Sequence, residues 1–231
     1  VHLSSELSSA FTTPFEDAKN SIDINLNGTI RLLESFEKLE GILYSSTIAV
    51  YGKPNYLPVN EMHPTNPISF YASGKLGAEK FLRMYGHSKK IPITVLRYSS
   101  IYGPRSRSMQ PLSLFIERAL LDEPIMLHNN GKNYRDFVFV HDAINATINA
   151  IRKNQEEIYN IGSGIKCTIK DLVEKIIELT DSKSKIIPSD GSRGFDFVCD
   201  ILKAKQNLEY IPLTFLEDGL LQEIKWKKLQ N

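Results

Sequence analysis

Thr47, Tyr71 and Lys75 are the residues of this chain whose types and spacing could do chemistry together. Tyr71 and Lys75 stand four apart, so on a helix they share one face. An ammonium beside a phenol favours the phenolate and lowers the phenol's pKa. A threonine hydroxyl delivered from a strand end can hydrogen-bond the same substrate oxygen. Such a trio can take a proton from an alcohol while a hydride leaves the alcohol carbon. That is the chemistry of sugar oxidation at a nicotinamide.

The trio needs a strand end and a helix start side by side. Leu43-Tyr-Ser-Ser-Thr47-Ile-Ala-Val-Tyr-Gly52 reads as a strand running into a loop, and Asn66-Pro-Ile-Ser-Phe-Tyr71 as a turn that opens a helix. A second Tyr-x-x-x-Lys, Tyr85-Gly-His-Ser-Lys89, falls where the helix is ending, before Ile91-Pro92. No strand-end Ser/Thr cluster closely precedes it, so it reads as a helix-end tyrosine and a solvated lysine.

The remaining pattern is that of an α/β protein. Helical spacing runs from Pro14 to Glu40 through Ile22, Leu26, Ile30, Leu33 and Phe36, with Gly41 as its C-cap. Strands are expected at Ile42–Ser45, Ile93–Arg97, Arg135–Val140 and Ile158–Ile161, and at the cut-short Val1–Leu3. Helices are expected at 70–89, 112–121, 142–151 (capped by Asp142), 168–179 (capped by Thr168) and 215–229, with 98–110 as loop. Strands alternating with helices of this length argue for a parallel sheet of βαβ units.

Composition narrows the class. The 231 residues suffice for one large domain or two lobes, and 42% apolar with 24% charged residues is ordinary for a globular protein. A net charge of +1 gives no bulk electrostatic case for nucleic acid or an anionic membrane. No apolar run approaches a membrane span and no signal peptide is visible. Cys167 and Cys199 form no framework and fit a reducing cytoplasm. His2, His63, His87, His128 and His141 lack metal-ligand spacing, so no metal site is expected.

Six ordered motifs carry a resemblance. They are Asn25-x-Asn-Gly-Thr29, Ser-Ser-Thr47-x-x-Val-Tyr-Gly52, Tyr71-x-x-x-Lys75, Leu96-Arg-Tyr-x-x-x-Tyr-Gly-Pro104, Arg135-Asp-Phe-Val-x-Val-x-Asp142 and Tyr159-Asn-Ile-Gly162. In them the chain resembles the extended short-chain dehydrogenase/reductase family, in its NAD-dependent nucleotide-sugar epimerase/dehydratase branch. The resemblance implies a doubly wound, Rossmann-type sheet with a smaller C-terminal substrate lobe. Residues 1–104 would form the dinucleotide-binding part, with about 134–162 returning to it, and 105–231 mainly the substrate lobe. The family's Gly-x-x-Gly-x-x-Gly turn, which brings backbone to a pyrophosphate, is not in this sequence. Two βαβ-sized steps, roughly 60 residues or more, are expected to be missing from its amino end, and the chain alone is then expected to be inactive. The alternative of another class is a non-catalytic remnant or binding module on the same fold.

By this resemblance Tyr71 is the catalytic base, Lys75 holds the nicotinamide ribose, and Thr47 bonds the reacting sugar oxygen. Leu3, Ser4, Ser5, Ser45, Ser46 and Ser99 would line the cofactor, NAD, with NADP left open. Asn25 matches a family asparagine near the cofactor, or equally is a polar helix residue satisfied by backbone. Ser100 stands where many members carry a substrate-binding Asn. Arg135 and Arg193 are candidates for the nucleotide diphosphate, because a guanidinium suits paired phosphate oxygens. For Arg193 a solvated loop arginine is the alternative.

Dehydratases of this family follow the threonine with Asp-Glu, which supply an acid and a base. Here Ile48-Ala49 follow Thr47, and two apolar residues cannot move protons. The expected reaction is therefore 4-epimerisation of a nucleotide-diphosphate sugar: Tyr71 takes the 4-OH proton, C4 gives hydride to NAD, and hydride returns to the other face. A 4-keto-sugar reductase or dehydratase is the alternative within the family. Members commonly dimerise through a four-helix bundle, so a homodimer through the 14–40 and 70–89 helices is expected, with Phe81, Leu82, Met84 and Tyr85 as apolar residues beyond one stripe.

Overall fold

The computed structural model describes residues 15–106, 110–191 and 194–230. The expected Val1–Leu3 strand, and the candidate site residues Leu3, Ser4, Ser5 and Arg193, lie outside the described residues. Among the described residues, the sheet that carries Thr47 has three parallel strands in spatial order β1 (Ile42–Thr47), β2 (Ile93–Tyr98) and β6 (Glu157–Ile161). Every residue of β2 is buried, as a central strand covered on both faces requires. Ile42 pairs with Ile93 and Thr47 with Tyr98, so β1 and β2 end together.

The helix α3 (Phe70–Lys89) connects these two strands. Its start is set by Ser69, whose hydroxyl accepts from the Ala72 N–H at 3.2 Å. Its end is set by Lys90 in the left-handed conformation, ahead of Ile91-Pro92. Leu82 and Ala78 of α3 pack with Tyr44, Val95 and Leu33 against the sheet. Phe81 and Tyr85 are half-buried and stacked, with ring centroids 6.4 Å apart, while Met84 is 75% exposed. Of the four apolar residues set apart in the sequence, Leu82 thus belongs to the core.

The single helix expected over 14–40 is three pieces: α1 (Phe15–Ile22), a π-helical turn (Asp23–Asn27) and α2 (Gly28–Glu34). The break has a local cause. Asn25 Nδ2 donates to the Ser21 carbonyl at 2.8 Å, and Thr29 Oγ1 to the Asn25 carbonyl at 2.9 Å. Side chains bonding backbone within a helix compete with its ladder, and π turns of this kind concentrate at functional sites. The helix stops at Glu34, six residues earlier than expected, with Ser35 Oγ bonded to the Leu32 carbonyl. Gly41 is not its cap; a Cβ there would overlap the Asn154 side chain.

The rest of the chain builds on the other end. β3 (Ser100–Tyr102) lies parallel to β5 (Tyr134–Phe139), β7 (Lys166–Thr168) pairs antiparallel with β5, and β4 (Ile125–His128) lies parallel to β8 (Ile186–Ser189). Helices α4 (Pro111–Leu120), α6 (Ile169–Thr180) and α8 (Leu216–Lys228) enclose a core of Leu112, Ile116, Leu172, Ile176 and Leu220. Helices α5 (Val140–Lys153) and α7 (Leu202–Leu208) cover the other face of the β1–β2–β6 sheet, in a core with Leu96, Tyr159 and Phe197. Thr168 caps α6 as expected, accepting from the Asp171 N–H. Asp142 does not cap α5: Phe139 holds that position, and the Asp142 carboxylate accepts from the Leu213 and Thr214 N–H groups, both at 3.1 Å. The 98–110 segment is not all loop, since β3 pairs through it.

Between β1 and α3, a 3-10 turn (Ile48–Tyr51) ends at Gly52, at φ 65° and ψ −144°. That conformation is open to glycine almost alone. A Cβ at Gly52 would also overlap the Asn66 carbonyl oxygen. Gly28 is the contrast, helical and with nothing closer than 3.6 Å to an added Cβ. Gly52→Ala should therefore destabilise the chain by roughly 2 kcal/mol or more. Gly28→Ala should be neutral or stabilising by up to about 1 kcal/mol. Urea denaturation of both variants checks this; equal midpoints would be inconsistent with the tight Gly52 turn.

Candidate active site

β1 delivers three consecutive residues of the candidate site. Ser45 presents its carbonyl to Lys75, Ser46 turns inward, and Thr47 ends the strand. Thr47 Oγ1 accepts from the Ala49 N–H at 3.2 Å, capping the 3-10 turn. That bond uses an oxygen lone pair and leaves the hydroxyl proton for donation. Tyr71, half-buried, sits in the first turn of α3, one turn before Lys75 on the same face.

Lys75 is buried, at 1% exposure. Its Nζ donates to the Ser45 carbonyl at 2.8 Å and lies 4.8 Å from the centre of the Tyr44 ring. Burial pulls the Lys75 ammonium down to about 8, while Glu79 acts in the opposite direction. Burial also pushes the Tyr44 phenol far up, so it stays a neutral donor. Its hydroxyl points to the Asn25 carbonyl at 3.4 Å. Asn25 packs against α3 at Gly74, between Tyr71 and Lys75, where an added Cβ would stand 3.2 Å from the Asn25 Cβ. The fold thus brings Asn25, Ser45, Tyr71 and Lys75 to one place, with Thr47 at the neighbouring strand end. The Asn25 amide donates to both the Ser21 carbonyl and the Ser21 hydroxyl.

Ser46 has a different role from its neighbours. Its hydroxyl, 4% exposed, donates to Glu79 Oε1 in the interior. Neither Ser45 nor Ser46 caps the strand end, because both lie within β1. Glu79 also accepts from Arg97 Nε at 3.1 Å and Nη2 at 2.6 Å. The sequence reading missed Glu79 and Arg97. The signal was there, since Tyr71, Lys75 and Glu79 recur every four residues along one helix face.

The phosphate candidates lie further along. Ser99 follows Tyr98, the strand partner of Thr47, and its hydroxyl donates to the Asp136 carbonyl at 2.6 Å. Ser100 pairs with Phe137 in the β3–β5 ladder. Arg135, next to Asp136, has its guanidinium 5.6 Å from the Phe195 ring centre and one nitrogen on the Tyr134 carbonyl. Burial lowers its pKa and Asp196 acts against this. One path of contacts therefore runs from Thr47 through Ser99 to the strand that carries Arg135. Among the described residues, no group of His, Cys, Asp and Glu could hold a metal ion, and no helix is long and apolar enough to cross a membrane.

The chain is similar to known proteins along most of its length. The NAD dependent epimerase/dehydratase family profile matches residues 1–162. A putative UDP-glucose 4-epimerase of Methanocaldococcus jannaschii is 34% identical over 90% of this chain and 70% of its own length. A UDP-glucuronate 4-epimerase of Thermodesulfobacterium geofontis is 29% identical, over 90% of this chain and 66% of its own length. Among solved structures, the UDP-glucuronic acid 4-epimerase of Bacillus cereus, in complex with UDP-glucuronic acid and NAD, superposes with a TM-score of 0.87 at 30% identity. That match covers 94% of this chain and 71% of the other.

Lys75 makes a prediction about pH. Its pKa is about 8 in the folded chain against the ordinary 10.5, so between these values the unfolded chain holds more protons. Its contribution to stability is then fully present above pH 10.5 and is lost as pH falls through about 8. In urea denaturation, the stability of the parent relative to Lys75→Met should rise across that window and stay level below it. A level difference throughout would contradict a desolvated Lys75.

Proposed function

Because the chain belongs to the NAD dependent epimerase/dehydratase family, we propose that it carries the catalytic residues of a 4-epimerase acting on a nucleotide-diphosphate sugar, a UDP-sugar being favoured. The observation that carries the reading is Lys75 bonded to the Ser45 carbonyl of β1, with Tyr71 one turn before it on α3, Thr47 two residues further along β1, and Ile48 and Ala49 next in the chain. Dehydration needs an acid and a base beside the sugar, and those two positions supply neither. A human dTDP-D-glucose 4,6-dehydratase is 30% identical over 71% of this chain, so dehydration is the second reading, and Ile48-Ala49 count against it.

The donor set fits the nicotinamide-ribose end of NAD: a buried ammonium and a phenol share one helix face beside the end of β1, and the Asn25 amide, bonded to Ser21, packs behind them. Lys75, Tyr71 and Asn25 would hold that end, with Ser45 and Ser99 nearby and Ser46 behind β1. When bound, NAD supplies a hydride acceptor that is restored within each turnover. Tyr71 takes and returns the proton of the sugar 4-hydroxyl. Thr47 donates to the same oxygen and so fixes the ring. The positive charge of Lys75 favours the phenolate of Tyr71. Arg135 and Ser100, on the paired strands β5 and β3, would hold the diphosphate and sugar. Two copies would pair through α1, α2 and α3, which expose Phe15, Leu32 and Met84.

The test is made on the complete gene product with UDP-glucose and UDP-glucuronate. Tyr71→Phe should lower kcat by roughly 100-fold or more while leaving KM within about threefold, since the phenol oxygen serves the proton step. Tyr85→Phe, which keeps the ring stacked on Phe81, should change little. Equal losses would refute the role given to Tyr71. Accumulation of a 4-keto-6-deoxy sugar would replace epimerisation by dehydration. Sedimentation at micromolar concentration should give a dimer mass, and a monomer would refute the pairing of helices.

A further inference from the structure

Glu79 is 2% exposed, beneath the site, and no step given above uses it. It lies one helical turn beyond Lys75 on the same face of α3. Its carboxylate gathers one group from each strand below it, the Ser46 hydroxyl of β1 and the Arg97 guanidinium of β2. The Arg97 bond is two-pronged, and its guanidinium also lies over the Tyr51 ring, 4.8 Å from the centre. Lys75 holds the adjacent β1 residue through the Ser45 carbonyl. Successive residues of β1 are therefore gripped by successive turns of α3, and Thr47 is the next residue along.

We propose that Glu79 is a positioning residue for the catalytic trio: it clamps the end of β1 between α3 and β2, and its negative charge keeps the Lys75 side chain an ammonium. The inference rests on the proposed function for its consequence in catalysis, but the clamp and the charge stand on contacts alone. An ammonium taken out of water tends to lose its proton, and an anion nearby opposes that loss. The titratable and charged groups around Lys75, among the described residues, are Tyr71 and Glu79 on α3, Tyr44 on β1 and Arg97 on β2. The π turn and α2 contribute neutral Asn25 and Thr29 at this face. Tyr44 is held neutral by burial, and Arg97 is spoken for by Glu79. Glu79 is thus the anion of this group that favours a charged Lys75.

The test reads Lys75 directly. In the complete gene product labelled with 13C-lysine, the Lys75 Cε resonance is assigned by its loss in Lys75→Met and followed with pH. Glu79→Gln should move the Lys75 midpoint down by about one pH unit or more. That variant strands a buried guanidinium, so Glu79→Gln/Arg97→Met, which removes both charges, is the second arm; loss of the Arg97 cation opposes the effect, so it should show a smaller displacement in the same downward direction. In turnover, Glu79→Gln should lower kcat with KM unchanged, and the loss should deepen as pH is raised from about 7 to 9. A loss of fold alone would scale all pH values equally. An unmoved Lys75 midpoint in the folded variants overturns the inference. A displaced midpoint in a protein whose parent turns over no nucleotide sugar would overturn the proposed function and leave the clamp intact.

Discussion

Three charged side chains, Lys75, Glu79 and Arg97, are buried in the wedge between α3, β1 and β2, and the arrangement there follows from that burial. A charge taken out of water must be paired and hydrogen-bonded. Removing one partner of a buried pair costs about 3–5 kcal/mol, whereas exposed pairs such as Arg31–Asp23 contribute about 0–1 kcal/mol. The wedge therefore tolerates few arrangements. Glu79 must face Arg97, so α3 must cross β2 at that depth. Lys75, one turn back, then meets the Ser45 carbonyl, and Tyr71 lies another turn back on the same helix face. The placing of Tyr71 and Lys75 follows from a requirement imposed in the interior.

The opposite side of the site is held by buried carboxylates that accept from backbone. Asp136 accepts from the N–H groups of Ser163, Gly164 and Cys199 and from the Ser163 hydroxyl. It thereby ties the end of β6 and the approach to α7 to the strand that carries Arg135. Glu223 of α8 accepts from the Gly103 N–H at 2.8 Å and fixes the turn that follows β3. Asp142 does the same for residues 213 and 214. In each case an irregular segment, with no ladder of its own, has its backbone donors satisfied by a carboxylate delivered from a helix or strand. Irregular segments can then border a site and still be well placed.

Much of this was legible in the sequence. The parallel sheet follows from strand and helix patterns alternating along the chain, and α3 was readable almost to the residue because Ser69 caps it and Ile91-Pro92 stop it. The shared face of Tyr71 and Lys75 was readable because a spacing of four on a helix is geometry, and Thr47 stands at a strand end by pattern alone. What the pattern could not show was local competition. The break at Asp23–Asn27 comes from the Asn25 and Thr29 side chains bonding backbone, and apolar periodicity runs through it unchanged. The short strands β3, β4, β7 and β8 have too few residues to show a period, and exist because distant segments pair with them.

The site divides in the same way. Chain-local spacing was enough to place Tyr71 and Lys75 on one face and to set Tyr85 and Lys89 aside. Whether a polar residue faces the site or the interior was a tertiary decision. Ser45 and Ser46 are identical and adjacent, yet the first lends its carbonyl to Lys75 and the second gives its hydroxyl to Glu79. Strand alternation makes neighbours face opposite ways, but only the position of α3 determines which way is which. Asp142 was read as a cap from its place before a helix, and it serves a segment 71 residues away. Sequence determines what a side chain can bond and what its near neighbours are; which distant backbone it bonds is settled when the chain packs and buried polar groups compete for partners.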